Sequence, residues 1–540
     1  MAVQFITGSS GSGKTFVLYQ KIIEESMQHP EGRYYVIVPE QFTMSTQKRL
    51  VMLHPRHAIM NIDILSFNRL AYRVFEELGY NTKSVLDDTG KNLVLRRIAS
   101  LQEDHLSILK NKMKRPGYVD QVKSFISELE QYHILPEDLN AMGETAGMPP
   151  LFSKKAKEIS LLYKSFLDYI RSDYITAEQV LSLLMDVIDK SEKVKDSVMV
   201  FDGFTGFTPL QNEVIQRLMP MTKKMVFTVT IDEKEPLLGA YAESDLFAMS
   251  KKMTAKLTDM AHMTHTEILE PLRLSMGEHS RFSNAKALGF MEAHLFRNDK
   301  AEFLEPDREE IAVYRLNDPR EELAFCANRI RALCAKEGYR YGDMAIVCGD
   351  LNTYKNYFEE VFLQYDIPVF TDASLELSYQ PAIEFIFSFL DVLSRNFSYE
   401  SMLHFLRTGL TGLTTEQVDL FDSYLYRSGI RGFEKYAHIF TVRPSEFEEE
   451  ELSQINEIRS MLYEAFAPVT GIFKKDSTVF EKSEGLLRIM EHFSVEEKCT
   501  HAAEEYIENK EQVKAQEYGQ IYTMIADLLD KMGSILGEEQ

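Results

Sequence analysis

Apolar residues in the early part of the chain gather in short, unbroken runs. Val3-Gln4-Phe5-Ile6, Tyr35-Val36-Ile37-Val38 and Ile62-Asp63-Ile64-Leu65 each read as a strand. Two more follow later, Val198-Met199-Val200-Phe201 and Met225-Val226-Phe227-Thr228-Val229-Thr230. Continuous apolar, β-branched runs of this length suit parallel strands covered on both faces. After the first run, Tyr19, Ile23 and Met27 recur every four residues, as on one side of a helix. Ser66, directly after the third run, is placed to cap a helix. From about 88 to 195 the periodicity is helical. A helical block thus interrupts a β/α series that resumes at 198. A second series begins near 310, with strands expected at Ile311-Ala312-Val313-Tyr314, Met344-Ala345-Ile346-Val347 and Ile367-Pro368-Val369-Phe370 around an amphipathic helix from Glu321 to Cys334. Beyond about 380 the pattern is almost wholly helical, with Ile383, Phe387, Leu390 and Leu393 in one stripe. Together these periods predict an α/β fold of two parallel-sheet units with large helical insertions.

One stretch in this pattern carries chemistry. Gly8-Ser9-Ser10-Gly11-Ser12-Gly13-Lys14-Thr15 reads G-x-x-x-x-G-K-[ST] and lies between the first predicted strand and the first predicted helix. That is the context in which such a loop cradles phosphates. Glycines let successive N–H groups turn toward phosphate oxygens, and the helix dipole adds positive potential there. Lys14 is placed to reach the outer phosphates of ATP and Thr15 to ligate Mg²⁺. The bland alternative is a Gly/Ser turn with a stray lysine. Four fixed positions at ordinary frequencies give roughly a few per cent chance of one match in a chain this long. A phosphate-loop site also needs an acid at the end of a neighbouring strand to hold Mg²⁺ through water. Asp202 meets that need. The general base that often follows is missing, because position 203 is glycine, which cannot take a proton. The sequence therefore speaks for nucleotide binding more than for fast hydrolysis.

Charge and composition narrow the partners. The net charge of −23 argues against a protein that coats nucleic acid without selectivity. The charge is uneven: residues 441–540 carry 22 Asp/Glu and 10 Lys/Arg, whereas 91–125 carry 8 Lys/Arg and 3 Asp/Glu. The basic stretch, with Arg96, Arg97, Lys112, Lys114 and Arg115, is the candidate duplex-facing surface; a solvated helix face is its alternative. No run approaches the roughly 18 apolar residues of a membrane helix. The phosphate loop begins too early to leave room for a signal peptide. Cys326, Cys334, Cys348 and Cys499 form no C-x-x-C pair, and scattered free thiols suit a reducing cytoplasm.

At this point the residues resemble a family. Two α/β units, each with helical additions, are similar to the architecture of superfamily 1 helicases. Those carry a D-E-x-Q-D-x-x-x-x-Q segment, where this chain has Asp202-Gly203-Phe204-Thr205-Gly206-Phe207-Thr208-Pro209-Leu210-Gln211. More narrowly, Gly8–Thr15, Val38-Pro39-Glu40-Gln41, Ser66-Phe67-Asn68-Arg69-Leu70-Ala71, Asp202–Gln211, the stretch from Gly338 to Ile346, and Ile383-Glu384-Phe385-Ile386 with Leu390-Asp391-Val392-Leu393 resemble the N-terminal half of the B subunit of AddAB (RexAB) helicase–nucleases. The resemblance implies a bacterial machine that processes double-strand DNA ends for recombination. Its A subunit is the motor, and its B subunit scans single-stranded DNA for a Chi-type sequence and carries a C-terminal nuclease with a 4Fe-4S cluster. It also implies two RecA-like domains: 1A from 1–87 and 196–300, its helical insertion 1B at 88–195, 2A at 301–400, and a helical 2B-like region at 401–540. The remainder of 2A, the nuclease and its cluster are expected beyond Gln540.

On the resemblance, Gln41 and Gln211 join Gly8–Thr15 and Asp202 at the nucleotide. Phe42, Phe67, Asn68 and Arg69 follow strand ends, where a doubly wound sheet presents its binding loops. They are expected to hold single-stranded DNA, with aromatic stacking worth roughly 1–3 kcal/mol per base. The departures matter as well. An adenine-contacting Gln upstream of the loop, a G-D-x-x-Q motif after Asp232, and an Asn-Tyr-Arg motif supplying a γ-phosphate arginine between 265 and 300 are all absent. An active motor with a substitute base, a nucleoside kinase and a structural subunit with a vestigial loop remain the alternatives.

Overall fold

The apolar runs are covered on both faces, as their composition requires. The computed structural model describes residues 1–540 except 81–82, 277–279, 298, 305–309, 371–376, 474–475 and 540. In chain order the strands are β1 (Ala2–Gly8), β2 (Tyr34–Ile37), β3 (Ile62–Leu65), β4 (Ser84–Val85), β5 (Tyr174–Ile175), β6 (Val198–Phe201), β7 (Lys224–Thr230), β8 (Glu267–Ile268) and β9 (Leu272–Arg273). Seven of them form one sheet in the order β3-β2-β6-β7-β1-β8, with β9 also paired to β1, and the pairings are parallel. Successive side chains of a strand point to opposite faces. Tyr35, Ile37, Met199 and Phe201 accordingly enter one core, and Tyr34, Val36, Val198 and Val200 the other.

Helices cover those faces. α1 (Lys14–Gln28) and α2 (Thr43–Leu53) bury Leu18, Tyr19, Ile22, Ile23 and Leu50 on the second face. α3 (Phe67–Leu78) starts at Ser66, whose hydroxyl accepts from the Arg69 N–H as the sequence predicts, and lies on the first face. The helical block follows with α4 (Asp88–Leu101), α5 (Pro116–Gln131), α6 (Pro136–Gly143), α7 (Pro150–Ile170) and α8 (Gln179–Val187). β4 and β5 pair across its base. α8 returns to the first face with Val180, Leu181, Leu184 and Val187, joined there by α9 (Pro209–Leu218) and α10 (Ala248–Met263), and α11 (Lys286–His294) follows.

Contacts divide the chain into Met1–Ala312 and Val313–Gln540. In the second unit α12 (Pro319–Glu337) and α13 (Leu351–Gln364) pack through Leu323, Ala327, Phe358, Val361 and Phe362. Eight further described helices, from α14 (Pro381–Ser394) to α21 (Gln512–Leu536), share an aromatic-rich core of Phe385, Phe389, Phe405, Phe466 and Phe493. The three strands expected here are not formed. Ile311–Tyr314, Met344–Val347 and Ile367–Phe370 have no ladder partner among the described residues. Val313, Val347 and Phe370 are 93%, 92% and 90% exposed. A strand exists only through its neighbour's hydrogen bonds, so apolar runs without one stay extended and unpaired. No described helix is long and apolar enough to cross a membrane.

The helical block encloses a charged cluster. Lys91 is buried and donates to Glu178 Oε2 at 2.8 Å and Ser127 Oγ at 3.1 Å. Glu130 beside it accepts from Thr176 Oγ1 and Gln179 Nε2 through Oε1, while its buried Oε2 has no partner. Burial, helped by the Glu178 carboxylate and opposed by Lys91, pushes Glu130 up to about 7. An acid whose folded pKa is raised keeps its proton folded while the unfolded chain releases it, so stability falls as pH rises from about 4.5 to about 7. Glu130→Gln is therefore expected to stabilise α4 and α5 at pH 8, by up to about 3 kcal/mol at 1.36 kcal/mol per pKa unit, and to do little at pH 5. Hydrogen exchange of those helices' amides at the two pH values checks this; an equal gain at both would contradict the assignment.

Candidate nucleotide-binding site

The phosphate loop turns between the end of β1 and the start of α1. Gly11 and Gly13 hold φ of +79° and +89°, a left-handed conformation that costs other residues roughly 1 kcal/mol or more. The loop therefore requires the glycines that the motif places there. Lys14 Nζ donates to Gly8 O at 2.8 Å and Ser9 O at 2.9 Å. Burial brings the ammonium down to about 8, while Asp202 and Glu292 act to raise it. The buried Ser12 Oγ has no hydrogen-bond partner.

Asp202 follows β6 and is 6% exposed. Three hydroxyls donate to it: Thr228 Oγ1 to Oδ1 at 2.7 Å, Thr15 Oγ1 to Oδ1 at 3.2 Å, and Tyr19 Oη to Oδ2 at 3.0 Å. The two residues expected at a metal, Thr15 and Asp202, thus meet. A hydroxyl and a carboxylate are hard oxygen donors of the kind Mg²⁺ takes, and the unpartnered Ser12 hydroxyl can donate to phosphate. Thr15 would hold the ion and Asp202 its water. The ion, when bound, would offset phosphate charge.

A cleft of about 730 Å³ runs from the loop to α2, lined by Gly11, Gly13, Lys14, Thr15, Phe16 and Tyr19 with Lys48, Arg49, Met52 and Arg281. Arg281 is the group that motif reading missed. Its main-chain N–H donates to Gly11 O at 2.9 Å, and the charge of its side chain acts on Lys14. The surrounding sequence, His279-Ser280-Arg281-Phe282, lacks the Asn and Tyr that would have signalled it. From α11, the Glu292 carboxylate accepts from the Ser10 N–H at 3.3 Å and sits 3.8 Å from Arg297. Gly203 has φ of +81°. An L residue is strained there, so the missing base is excluded by backbone as well as by composition.

Other expected residues fare differently. Gln211 closes a capping box: its Oε1 accepts from the Thr208 N–H at 3.0 Å, and the Thr208 hydroxyl accepts from the Gln211 N–H. Its side chain serves the start of α9 rather than a nucleotide, a role that the T-x-x-Q pattern already carries. Gln41 is exposed in a short 3₁₀ turn (Glu40–Phe42) after β2. Phe67 is 4% exposed and packs against Phe201, Phe204 and Phe207. It is a core residue, so its expected stacking on DNA bases is corrected. Phe42 is exposed, Asn68 partly so, and Arg69 pairs with Glu40 at 3.2 Å on the surface. Arg96 is exposed, and Arg97 lies over the Tyr169 ring at 5.4 Å.

Comparison with known proteins adds the following. Residues 5–292 match the family described as ADDB, N-terminal, and residues 284–540 the UvrD-like helicase C-terminal domain. A protein of Lachnoclostridium phytofermentans, named as the B subunit of an ATP-dependent helicase/deoxyribonuclease, is 38% identical over 546 residues, covering 100% of this chain and 47% of the relative. Proteins of the same name from Clostridium kluyveri and a Thermoanaerobacter species are 30% and 29% identical, again over 100% of this chain and 48% and 47% of theirs. The chain spans about half the length of the curated relatives it matches.

With the Lys14 ammonium brought down to about 8, nucleotide binding at this loop would be a proton-linked event. Phosphate beside Lys14 raises its pKa, so affinity should fall as pH rises through about 8, with uptake of about half a proton at that pH. Calorimetry in buffers of different ionisation enthalpy measures the uptake. Lys14→Ala should abolish it and weaken binding more than about tenfold, a loss above roughly 1.4 kcal/mol.

Proposed function

The chain belongs to the AddB family, and from that premise we propose that it is the helicase-like half of a helicase–nuclease B subunit. It binds ATP with Mg²⁺ at Gly8–Thr15 and Asp202, and follows single-stranded DNA in search of a Chi-type sequence. The machine processes double-strand ends in the cytoplasm together with an A-type motor subunit. The longer protein adds an exonuclease domain and its 4Fe-4S cluster. Residues 301–400 contribute to a second RecA-like domain, 2A; the packing of α12 on α13 and the UvrD-like match support this. One observation carries the reading: Lys14, Thr15, Asp202 and Arg281 gather around a phosphate loop, while position 203 is a left-handed glycine.

Binding without a base gives slow chemistry. General-base catalysis is worth roughly 10²–10⁴-fold, so turnover by the 540-residue chain should stay below about 1 s⁻¹, the low end of ordinary enzymes, with or without single-stranded DNA. Gly203→Glu should not restore it, because its backbone is strained. A second reading, a working motor with a substitute base, rests on the Glu292 carboxylate at the loop. DNA-stimulated turnover above that limit, lost in Glu292→Gln, would favour that reading over ours.

For DNA, the loops after β2 and β3 remain the proposed path, with Phe42, Asn68 and Arg69 in place of Phe67. A phosphate must displace Glu40 from Arg69, an exposed pair of the kind usually worth less than about 1 kcal/mol. Phe42→Ala should weaken single-stranded DNA binding by about 5- to 150-fold if one base stacks there. Arg69→Ala should flatten the salt dependence by about 0.7 in log–log slope. Electrophoretic titration at several salt concentrations reads both, and unchanged affinity in the two variants would remove DNA from this edge.

A further inference from the structure

Tyr19 has no part in the reading above, yet its hydroxyl ends on the acid that the reading depends on. Tyr19 lies one helical turn after Thr15 on the same face of α1, so a single helix sends two hydroxyls to one carboxylate. The phenol is 2% exposed, among Leu18, Ile22, Ile23 and Leu50. Phenylalanine would fill that space without having to bury a hydroxyl, which is costly unless it is bonded. The bonds available to it are the 3.0 Å contact with Asp202 Oδ2 and a longer, 3.4 Å contact with Thr46 Oγ1 from α2.

An ionised carboxylate offers about four acceptor sites, two on each oxygen. On Asp202, Thr15 and Thr228 fill both sites of Oδ1, and Tyr19 fills one of Oδ2. The site left over is the second on Oδ2, and the Tyr19 bond fixes which way that oxygen is turned. Burial, and then the Asp202 charge, hold the phenol far above its ordinary pKa.

Resting on the assignment of Gly8–Thr15 and Asp202 to a nucleotide–Mg²⁺ site, we propose that Tyr19 is a positioning residue. Its hydroxyl locks the Asp202 carboxylate so that one defined acceptor site serves the water of a bound Mg²⁺. Tyr19 therefore sets how strongly Mg²⁺ and nucleotide bind together, and has little influence on the nucleotide alone. Thr46, at the edge of hydrogen-bond distance, contributes nothing to that coupling.

The test is calorimetric titration of the 540-residue chain with ATP, in Mg²⁺ and in EDTA. The ratio of the two affinities is the metal coupling. Outer-shell groups typically alter metal affinity by about 10–100-fold. Tyr19 acts one bond further out, so Tyr19→Phe should lower the coupling about three- to tenfold and leave the EDTA affinity within about twofold. Thr46→Val should match the wild type in both. An unchanged coupling in Tyr19→Phe overturns the proposal, as does an equal loss with and without metal, which is the signature of a packing defect. A wild type that binds ATP with no metal coupling overturns it while sparing the nucleotide site. A wild type that binds no ATP under either condition removes the nucleotide assignment itself, and this proposal with it.

Discussion

The first unit depends on one constraint: the pairings of its central sheet are parallel. Parallel neighbours cannot be joined by tight turns, so the connections between its five long strands cross a face through helices. All the strands then end at the same edge, and helices begin there. The phosphate loop after β1, Glu40–Phe42 after β2, Ser66 after β3 and Asp202 after β6 become neighbours on one rim although they are spread over nearly 200 positions. The binding crevice of such a sheet lies outside the carboxyl ends of its strands. The same geometry explains why the strands read as solid apolar runs. With helices on both faces, both sets of alternate side chains are buried in the central strands β2 and β6.

That rim concentrates charge in a poorly solvated place. Lys14 gives up water and receives the carbonyls of Gly8 and Ser9 in return, acceptors that a phosphate can outbid because it is anionic. Asp202 is more enclosed still, and the protein answers it with hydroxyls rather than with a cation at hydrogen-bond distance. Neutral donors solvate a carboxylate without cancelling its charge. The negative field needed by a divalent ion therefore survives, as does its attraction for Lys14. Arg281 and Glu292 bring opposite charges to the outer part of the loop, so the site is tuned by both signs and not merely positive.

What could be read from the sequence follows the range of the interactions concerned. The five long strands, the loop and the Ser66 cap are written in residues within a few positions of one another. Asp202 could be read because strand ends share an edge. Arg281 could not, since its place beside Gly11 comes from tertiary contact across 270 positions without a local signature. Phe67 shows the opposite failure. An aromatic at a helix start looks available to a ligand until Phe201, Phe204 and Phe207 close over it. Gln211 carried two patterns at once, a motif position and a capping box, and the local hydrogen bonds prevailed. In the second unit the strands expected from apolar runs are not formed, because pairing is a property of two segments and no partner among the described residues supplies the other half.

Segment charge misleads for a related reason. The basic stretch 91–125 is largely answered within the helical block: Lys91 by Glu178, Lys110 and Lys114 by Glu103, and Lys123 by Asp88 and Asp120. A polyanion would meet mainly Arg96, Lys112 and Arg115, of which Lys112 already lies over Tyr118, whereas Arg97 donates to Tyr169 Oη at 3.2 Å and lies over its ring. The acidic stretch 441–540 is likewise partly structural. α18 (Glu449–Thr470) carries three glutamates in its first turn and a capping box closed by Glu451, and α19 (Val479–His492) is capped by Thr478 and Glu481. Glu496 and Glu497 occupy the first turn of α20 (Val495–Glu508). Carboxylates there are favoured by the helix dipole, by about 0.3–1 kcal/mol each. Their number reflects how many helices begin in this region. The sign of a segment is therefore a weaker guide to the path of DNA than the few side chains that the fold leaves without a local purpose.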